Sequence, residues 1–258
     1  MLRRCREGRE GTGLVVSHSA GPVPLLRLRG LDVAPTEQSG PVLTGVTFDA
    51  SAGECIALVG PSGAGKTTLL RTLAAAIPPR GGAILFDGQD HTRLSGHALR
   101  NARRRIAMIT QKHDLVETLR VDRNVMAGAL GRWSLWRALR FLAWPTREEL
   151  AEAEAALAAV GLAEMLKRPT ASLSGGEQQR VAIARAMVQA PLLLLADEPV
   201  ASLDPATAAD VLRFLTDLAR SSGMALICSL HQPDLAARFC DRTFELRDGR
   251  ISELEARD

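Results

Sequence analysis

The sequence lacks any apolar run long enough to cross a membrane. A bilayer-spanning helix needs about 20 mainly apolar residues, and no run in this 258-residue chain approaches that length. The first 24 residues also lack the apolar stretch of a secretory signal, because Leu14–Val16 is far too short. We expect residues 1–24 to be a flexible tail, or an extension upstream of the true start, and the chain not to span a membrane.

The chain also has few cysteines and a small net charge. The four cysteines are scattered, without a C-x-x-C pair or a histidine at metal-ligand spacing, which argues against a disulfide framework and a zinc site. Cys55 and Cys228 lie in apolar runs and are interpreted as reduced core residues. The formal charge of +3 is modest, so we expect no nucleic-acid partner.

Three short apolar runs predict buried parallel strands, because they do not alternate with polar residues. A polar segment follows each run: a glycine loop from Gly60, the pair Asp197-Glu198, and His231. Ligands of open parallel sheets bind beyond the carboxyl ends of the strands. We therefore expect these polar segments to meet at one edge of a sheet. The three runs are Ile56–Val59, Leu192–Ala196 and Ala225–Leu230.

Two capping boxes predict helices between the glycine loop and Asp197. Thr146 and Glu149 can satisfy each other's free amides and open a helix that Gly161 is placed to stop. Ser174 and Glu177 repeat the pattern. We predict a helical insert at roughly 112–172 within an α/β core.

Residues 60–67, GPSGAGKT, match the P-loop pattern between a predicted strand and an apolar helix. Glycines let backbone amides face an anion, and the helix N-terminus adds positive potential. Lys66 is expected to reach the β- and γ-phosphates, and the Thr67 hydroxyl to ligate Mg²⁺. Asp197 also suits Mg²⁺, and Glu198 can polarise the attacking water. Nucleotide contacts are predicted for Gly60, Pro61, Ser62, Gly63, Ala64, Gly65, Lys66, Thr67 and Thr68.

The stretch Leu173–Arg180, LSGGEQQR, resembles the signature motif of ABC transporter ATP-binding subunits. The resemblance covers roughly residues 25–250. It implies the ABC ATPase fold over residues 25–258: an α/β P-loop NTPase core with a mostly parallel sheet, an antiparallel β subdomain and a helical insert. In that family Ser174 and the amides of Gly175 and Gly176 contact the γ-phosphate of ATP. Glu177 stands here where the family has glutamine.

Further motifs follow the family's order. Gln111 resembles the Q-loop glutamine, which contacts Mg²⁺ and senses the transmembrane partner, and Ser202-Leu203-Asp204 resembles the D-loop, which crosses to the other protomer. His231 resembles the switch histidine, which hydrogen-bonds the γ-phosphate. The resemblance implies a homodimer in which each signature closes over the other copy's P-loop. The implied catalytic residues are Lys66, Gln111, Ser174, Glu198 and His231, and the implied metal ligands are Thr67, Gln111 and Asp197.

The chain departs from the family at the position that contacts the adenine base. The family normally stacks the base on an aromatic near the first strands, but this chain has no tyrosine and places Pro35 in that position. Losing this stacking would weaken nucleotide affinity by about 1 kcal/mol. We expect adenine to rest on Pro35 or Val42. The selection of ATP over GTP should therefore be weaker than the recognition of the phosphates.

Two segments, 197–207 (DEPVASLDPAT) and 229–236 (SLHQPDLA), resemble the corresponding segments of the phosphonate importers of the family. That resemblance implies a place on the cytoplasmic face of the inner membrane, with permease subunits as partners and, indirectly, a periplasmic binding protein. Two alternatives stay open: the ATPase of a soluble phosphonate-degradation complex, and an importer of phosphite or another oxyanion. A DNA-repair or translation-type protein is disfavoured, since the chain has neither a long coiled coil nor a second ATPase unit.

The segment 133–144 holds four of the nine aromatic residues, with arginines between them. One interpretation is simple packing within the helical insert. The other is a face against the permease's cytoplasmic helices, near anionic lipid headgroups. The four aromatics are Trp133, Trp136, Phe141 and Trp144.

Overall fold

The structure, a computed structural model, describes residues 24–34, 40–201 and 203–255. Residues 1–23 of the proposed tail lie outside these ranges, so the tail stays a prediction. The strands are β1 (Leu26–Val33), β2 (Leu43–Ala50), β3 (Cys55–Val59), β4 (Gly81–Phe86), β5 (Gln89–Asp90), β6 (Ile106–Ile109), β7 (Leu193–Asp197), β8 (Ala225–Ser229), β9 (Arg242–Arg247) and β10 (Arg250–Leu254). The helices are α1 (Lys66–Leu73), α2 (Gly96–Arg104), α3 (Val121–Met126), α4 (Leu135–Ala143), α5 (Arg147–Ala159), α6 (Gly175–Gln189), α7 (Pro205–Ser222) and α8 (Pro233–Phe239).

A six-stranded sheet with the order β10-β9-β3-β8-β7-β6 forms the centre of the protein. All its pairs are parallel except the β9–β10 hairpin. Every residue of β3, β7 and β8 is buried, as expected for strands covered on both faces. The three predicted strands are therefore confirmed, with ends that differ from the predicted ones by at most one residue.

The two faces of this sheet belong to two different cores. In β3, Ile56 and Leu58 pack into a core shared with α1 and the antiparallel sheet. Ala57 and Val59 point to the opposite face and join a core formed with α3, α5, α6 and α7. This alternation follows from the two-residue period of a strand. The P-loop helix α1 thus lies on one face of the sheet and most other helices on the other.

A second, four-stranded sheet has the order β2-β1-β4-β5 and is antiparallel throughout. Its buried side, which includes Leu28, Phe48 and Phe86, packs in the core that contains α1. The predicted mixture of a mostly parallel sheet, an antiparallel β subdomain and added helices is therefore confirmed. In the described part of the chain, no helix is long and apolar enough to cross a bilayer.

Helices α3, α4 and α5 lie between β6 and β7 in the chain, where the helical insert is predicted. The capping box of α5 forms as expected: the Glu149 amide donates to Thr146 Oγ1 at 3.3 Å, and the Thr146 amide donates to Glu149 Oε2 at 3.0 Å. Gly161, with φ of 72°, follows the end of this helix. The limits of the insert at 112–172 stay a prediction.

Candidate active site

Four parallel strands end side by side at one edge of the central sheet. Leu58 of β3 and Asp197 of β7 both pair with Ser229 of β8, and Ile109 of β6 pairs with Ala196 of β7. The segments after these strands carry the P-loop, His231, Glu198 and Gln111, in that order across the sheet. The edge predicted from three apolar runs therefore exists, and β6 contributes a fourth segment to it.

The P-loop needs glycine at two positions for steric reasons. Gly60 has φ of 141°, and a Cβ there would lie 2.2 Å from the carbonyl oxygen of Leu246. Gly65 has φ of 105°, and its Cβ would lie 2.8 Å from Leu43 Cδ2. Backbone alone can therefore line this cradle. No side chain caps the start of α1, so its first amides are left for another acceptor, such as a phosphate.

Lys66 is held beside this backbone. Its side chain is almost fully buried, and Nζ donates to the carbonyl oxygens of Gly60 and Pro61 at 2.8 and 3.1 Å. An ammonium group at the mouth of a glycine cradle is the arrangement that binds the β- and γ-phosphates of a nucleotide.

Asp197, at the end of β7, is the centre of a buried polar network. Its Oδ1 accepts hydrogen bonds from Thr67 Oγ1 at 3.1 Å and from Ser229 Oγ at 2.9 Å. The hydroxyl of Thr67 and the carboxylate of Asp197 are both hard oxygen ligands, so the pair fits Mg²⁺. The structure thus brings together two of the three predicted metal ligands.

Ser229 was not predicted from the sequence, yet it joins the two acidic residues. Its hydroxyl donates to Asp197 and accepts the amide hydrogen of Glu198 at 2.9 Å. It is fully buried. The available signal was a polar residue near the end of an otherwise apolar buried strand.

Glu198 and His231 form a contact across neighbouring strand ends. His231 Nε2 lies 2.5 Å from Glu198 Oε1, which is within hydrogen-bond distance. Glu198 adopts φ of 52°, a left-handed conformation that is rare for non-glycine residues and clusters at functional sites. This geometry directs the carboxylate to the same edge as the P-loop.

Other predicted site residues lie at the surface. Gln111 is exposed two residues beyond β6. Asp204 caps α7, where Oδ1 accepts from the amides of Ala206 and Thr207 at 3.1 Å each; hydrogen bonds from Thr207 and Ala206 lower the pKa of its carboxyl. Ser202, the neighbouring D-loop residue, and Pro35, the proposed adenine support, lie outside the described residues. Val42, the alternative support, is half-buried beside Gly65.

The signature motif forms the capped start of α6. Ser174 Oγ accepts the Glu177 amide at 3.4 Å, while Glu177 Oε2 accepts the Ser174 amide at 2.7 Å. Hydrogen bonds to this carboxylate, from the Ser174 amide first and then from the Ser174 hydroxyl, lower the pKa of Glu177. A Cβ at Gly175 would meet no other atom within 4 Å, and at Gly176 the nearest atom would be Leu203 Cδ2 at 3.6 Å. Packing within the chain therefore does not require either glycine.

Comparison with known families and proteins agrees with this site. A model of the ABC transporter family matches residues 43–201. The phosphonates import ATP-binding protein PhnC 2 of Haloarcula marismortui is 43% identical over 209 residues, which cover 81% of this chain and 76% of that protein. The PhnC 1 protein of Rhodopseudomonas palustris (strain HaA2) is 43% identical over 227 residues, covering 88% and 80%.

Solved structures show the same fold. The cbiO1 protein from Clostridium perfringens, part of an ABC transporter complex, superposes with a TM-score of 0.76 at 27% identity, covering 89% of this chain and 87% of that one. A bacterial ABC transporter cassette solved as a dimer superposes with a TM-score of 0.79 at 27% identity, covering 90% and 99%. The same cassette is known in a post-hydrolysis dimer bound to ADP and Pi. The chain belongs to the ABC transporter family, as an ATP-binding and ATP-hydrolysing subunit.

Proposed function

We propose that this ATPase powers the import of phosphonates, or of a related phosphorus oxyanion, through a membrane permease. The observation that carries the substrate class is the identity of 43% with phosphonate import ATP-binding proteins over more than four fifths of the chain. The substrate does not touch this subunit in such a system, so the chain's own residues act on ATP alone.

We infer that ATP is bound with Mg²⁺ at the sheet edge. Lys66 and the P-loop amides would hold the phosphates, and Thr67 and Asp197 would hold Mg²⁺, with Gln111 as a further ligand. The bound ion neutralises charge on the β- and γ-phosphates. Glu198 would orient the attacking water and accept its proton, while His231 would contact the γ-phosphate. The hydrogen bonds of Asp197 and Glu198 to Ser229 support these positions.

A homodimer would complete this site. Gly175 and Gly176 are not required by the chain's own packing, which supports the approach of a ligand or partner to the start of α6. Ser174 and these two glycines would contact the γ-phosphate held by the P-loop of a second copy, and Asp204 would lie at the interface between the two. Each copy then contributes half of two composite sites, and loss of the γ-phosphate lets the dimer open.

The dimer would contact the transmembrane permease subunits from the cytoplasmic face of the inner membrane, with a periplasmic binding protein on the opposite side of the membrane. Adenine would rest on Pro35 or Val42 rather than on an aromatic ring. Val42 borders the P-loop, which supports this second choice.

Growth on a phosphonate as the sole phosphorus source tests the substrate. In a strain without a redundant importer, deletion of the gene should abolish growth. The wild-type gene should restore it and a Glu198→Gln allele should not. Growth on inorganic phosphate is the control for general fitness.

Two outcomes would overturn the substrate assignment. Undiminished growth of the deletion strain on phosphonate contradicts it directly. A defect confined to phosphite would assign a different oxyanion. Measuring uptake of labelled phosphonate separates import from degradation, because loss of a soluble degradation complex leaves uptake intact.

A further inference from the structure

Helix α4 presents its apolar residues to the outside of the protein. Leu135, Trp136, Leu139 and Leu142 are 73%, 81%, 50% and 55% exposed, and Trp144, just after the helix, is 78% exposed. The four helical residues fall on one face, because Trp136, Leu139 and Leu142 are spaced three positions apart and Leu135 lies four positions before Leu139. We call these five residues the α4 outer face. Contiguous exposed apolar surface of this kind is typical of an interaction site.

The opposite side of α4 is fixed to the protein mainly by charge. Arg137 Nε donates to Glu149 Oε1 at 3.1 Å, and Arg140 Nη2 donates to the same oxygen. Glu149 is buried, which acts to raise its pKa, but hydrogen bonds from Thr146, Arg140 and Arg137 outweigh burial and lower the pKa. The Glu149 carboxylate, held in its ionised form, therefore fastens α4 to α5 through these two guanidinium groups.

Two aromatic rings complete this attachment. Phe141, the buried residue of α4, packs against Trp133 with ring centroids 5.1 Å apart. The guanidinium of Arg137 lies 4.8 Å from the centroid of Trp133. The α4 outer face takes no part in these contacts. Helix α4 therefore turns its apolar side to water, whereas a normal surface helix turns its polar side to water.

The charge around the α4 outer face is positive. Residues 124–147 contain four arginines and neither Asp nor Glu. Among the nearest acids, Asp122 and Glu149 are buried and paired with arginine, whereas Glu148 is exposed next to Arg147. Arg132, Arg137 and Arg140 keep 46%, 48% and 39% of their side-chain surface exposed despite their ion pairs. The fourth arginine, Arg147, is exposed at the start of α5.

We propose that the α4 outer face binds in the interface of an anionic lipid bilayer. Apolar side chains beside arginines, with tryptophan within and at the end of the patch, are the composition of a helix that lies in a membrane interface. A nine-residue helix is about 14 Å long, too short to span a bilayer, so it would lie along the surface. This inference deepens the peripheral membrane location in the proposed function.

Flotation of the full chain with lipid vesicles tests the proposal. The chain should bind vesicles that contain about 30% phosphatidylglycerol in phosphatidylcholine, and bind pure phosphatidylcholine at least about fivefold more weakly, because each nearby arginine adds attraction. Raising the salt concentration to about 0.5 M should reduce binding to the anionic vesicles.

Single substitutions locate the surface. Trp136→Ser should weaken vesicle binding by about tenfold, since a buried aromatic side chain is lost from the bilayer. Arg147→Glu should weaken it by about thirtyfold, because it changes two charges. Leu254→Ser, at a 39% exposed leucine of β10, is the matched control and should leave binding unchanged. All three variants should keep the wild-type melting temperature.

Three results would overturn the proposal. The first is no binding of the wild-type chain to anionic vesicles. The second is equal weakening by Leu254→Ser. The third is that the Trp136→Ser variant binds vesicles as well as wild type but copurifies less with the permease. That result would assign the α4 outer face to a protein partner. Vesicle binding requires neither ATP nor phosphonate, so its failure leaves the growth test unaffected.

Discussion

The sheet-edge site and α4 place their characteristic residues in opposite environments. At the sheet edge, polar side chains are buried and satisfied: Asp197, 6% exposed, accepts two hydrogen bonds, and Ser229, fully buried, makes two. On α4, apolar side chains are exposed, with Trp136 at 81%. Buried polar groups and exposed apolar groups both cost free energy unless a partner compensates. The first region finds its partners within the chain, and the second needs one outside it.

The largest expected effect concerns the chemistry of the sheet edge. Glu198→Gln should lower ATP turnover by about 10²–10⁴-fold, because an amide cannot accept the proton of the attacking water. Release of inorganic phosphate measures turnover. ATP binding by the same variant is the control and should persist, since the proposed phosphate contacts come from the P-loop. Turnover within tenfold of wild type would remove Glu198 from the chemical step.

The contrast between buried and exposed tryptophan can be measured directly. Trp133→Ala should lower the free energy of unfolding by about 3–5 kcal/mol, because a large buried ring leaves a cavity. Trp136→Ala is its matched partner and should change that free energy by less than about 0.5 kcal/mol. Urea unfolding followed by circular dichroism measures both. Similar losses in the two variants would contradict the assignment of inner and outer faces.

Ser229 tests whether the polar network supports the site. Ser229→Ala leaves the Glu198 amide without its acceptor and removes one donor from Asp197, so we expect a loss of about 1–3 kcal/mol in unfolding free energy. ATP turnover should fall as well. Ser221→Ala, at an exposed serine of α7, is the control and should stay within about 0.5 kcal/mol of wild type. Wild-type stability of Ser229→Ala would show that the network is dispensable.

The smallest effect concerns the proposed composite site. A hybrid dimer of one Lys66→Ala chain and one Ser174→Ala chain keeps one intact site, so its ATP turnover should be about half that of wild type. A dimer whose chains carry both substitutions has no intact site and serves as the baseline. Differently tagged chains allow the hybrid to be purified before phosphate release is measured. Turnover equal to that of this baseline would contradict composite sites, because sites formed within one chain would both be damaged in the hybrid.

Segments whose contacts are local were predicted well from the sequence. The P-loop cradle and the capping boxes at Thr146 and Ser174 depend on residues a few positions apart, so their patterns are readable in the chain. The buried strands were recognisable because both of their faces are covered. Ser229 escaped prediction, because its role arises only when β8 pairs in register with β7.

The aromatic segment shows the opposite case. The sequence left two interpretations of the segment 133–144 open, and the structure divides it between them. Trp133 and Phe141 lie in the core, whereas Trp136 and Trp144 are exposed. Of the two interpretations, simple packing therefore applies to Trp133, and a contact face remains only for the exposed residues. A substitution at Trp133 would disturb packing instead of a surface.

By itself, the sequence determined the family, the glycine-rich turn before α1, the strands and the helix caps, because glycine conformation, capping and apolar runs act over a few residues. Only the tertiary structure decided how distant groups combine. Thr67 and Asp197 meet across 130 residues of chain, and Ser229 reaches Asp197 through strand register. The orientation of α4 was likewise decided by the ion pairs of Glu149 with Arg137 and Arg140. Such contacts depend on packing between elements, which local patterns do not specify.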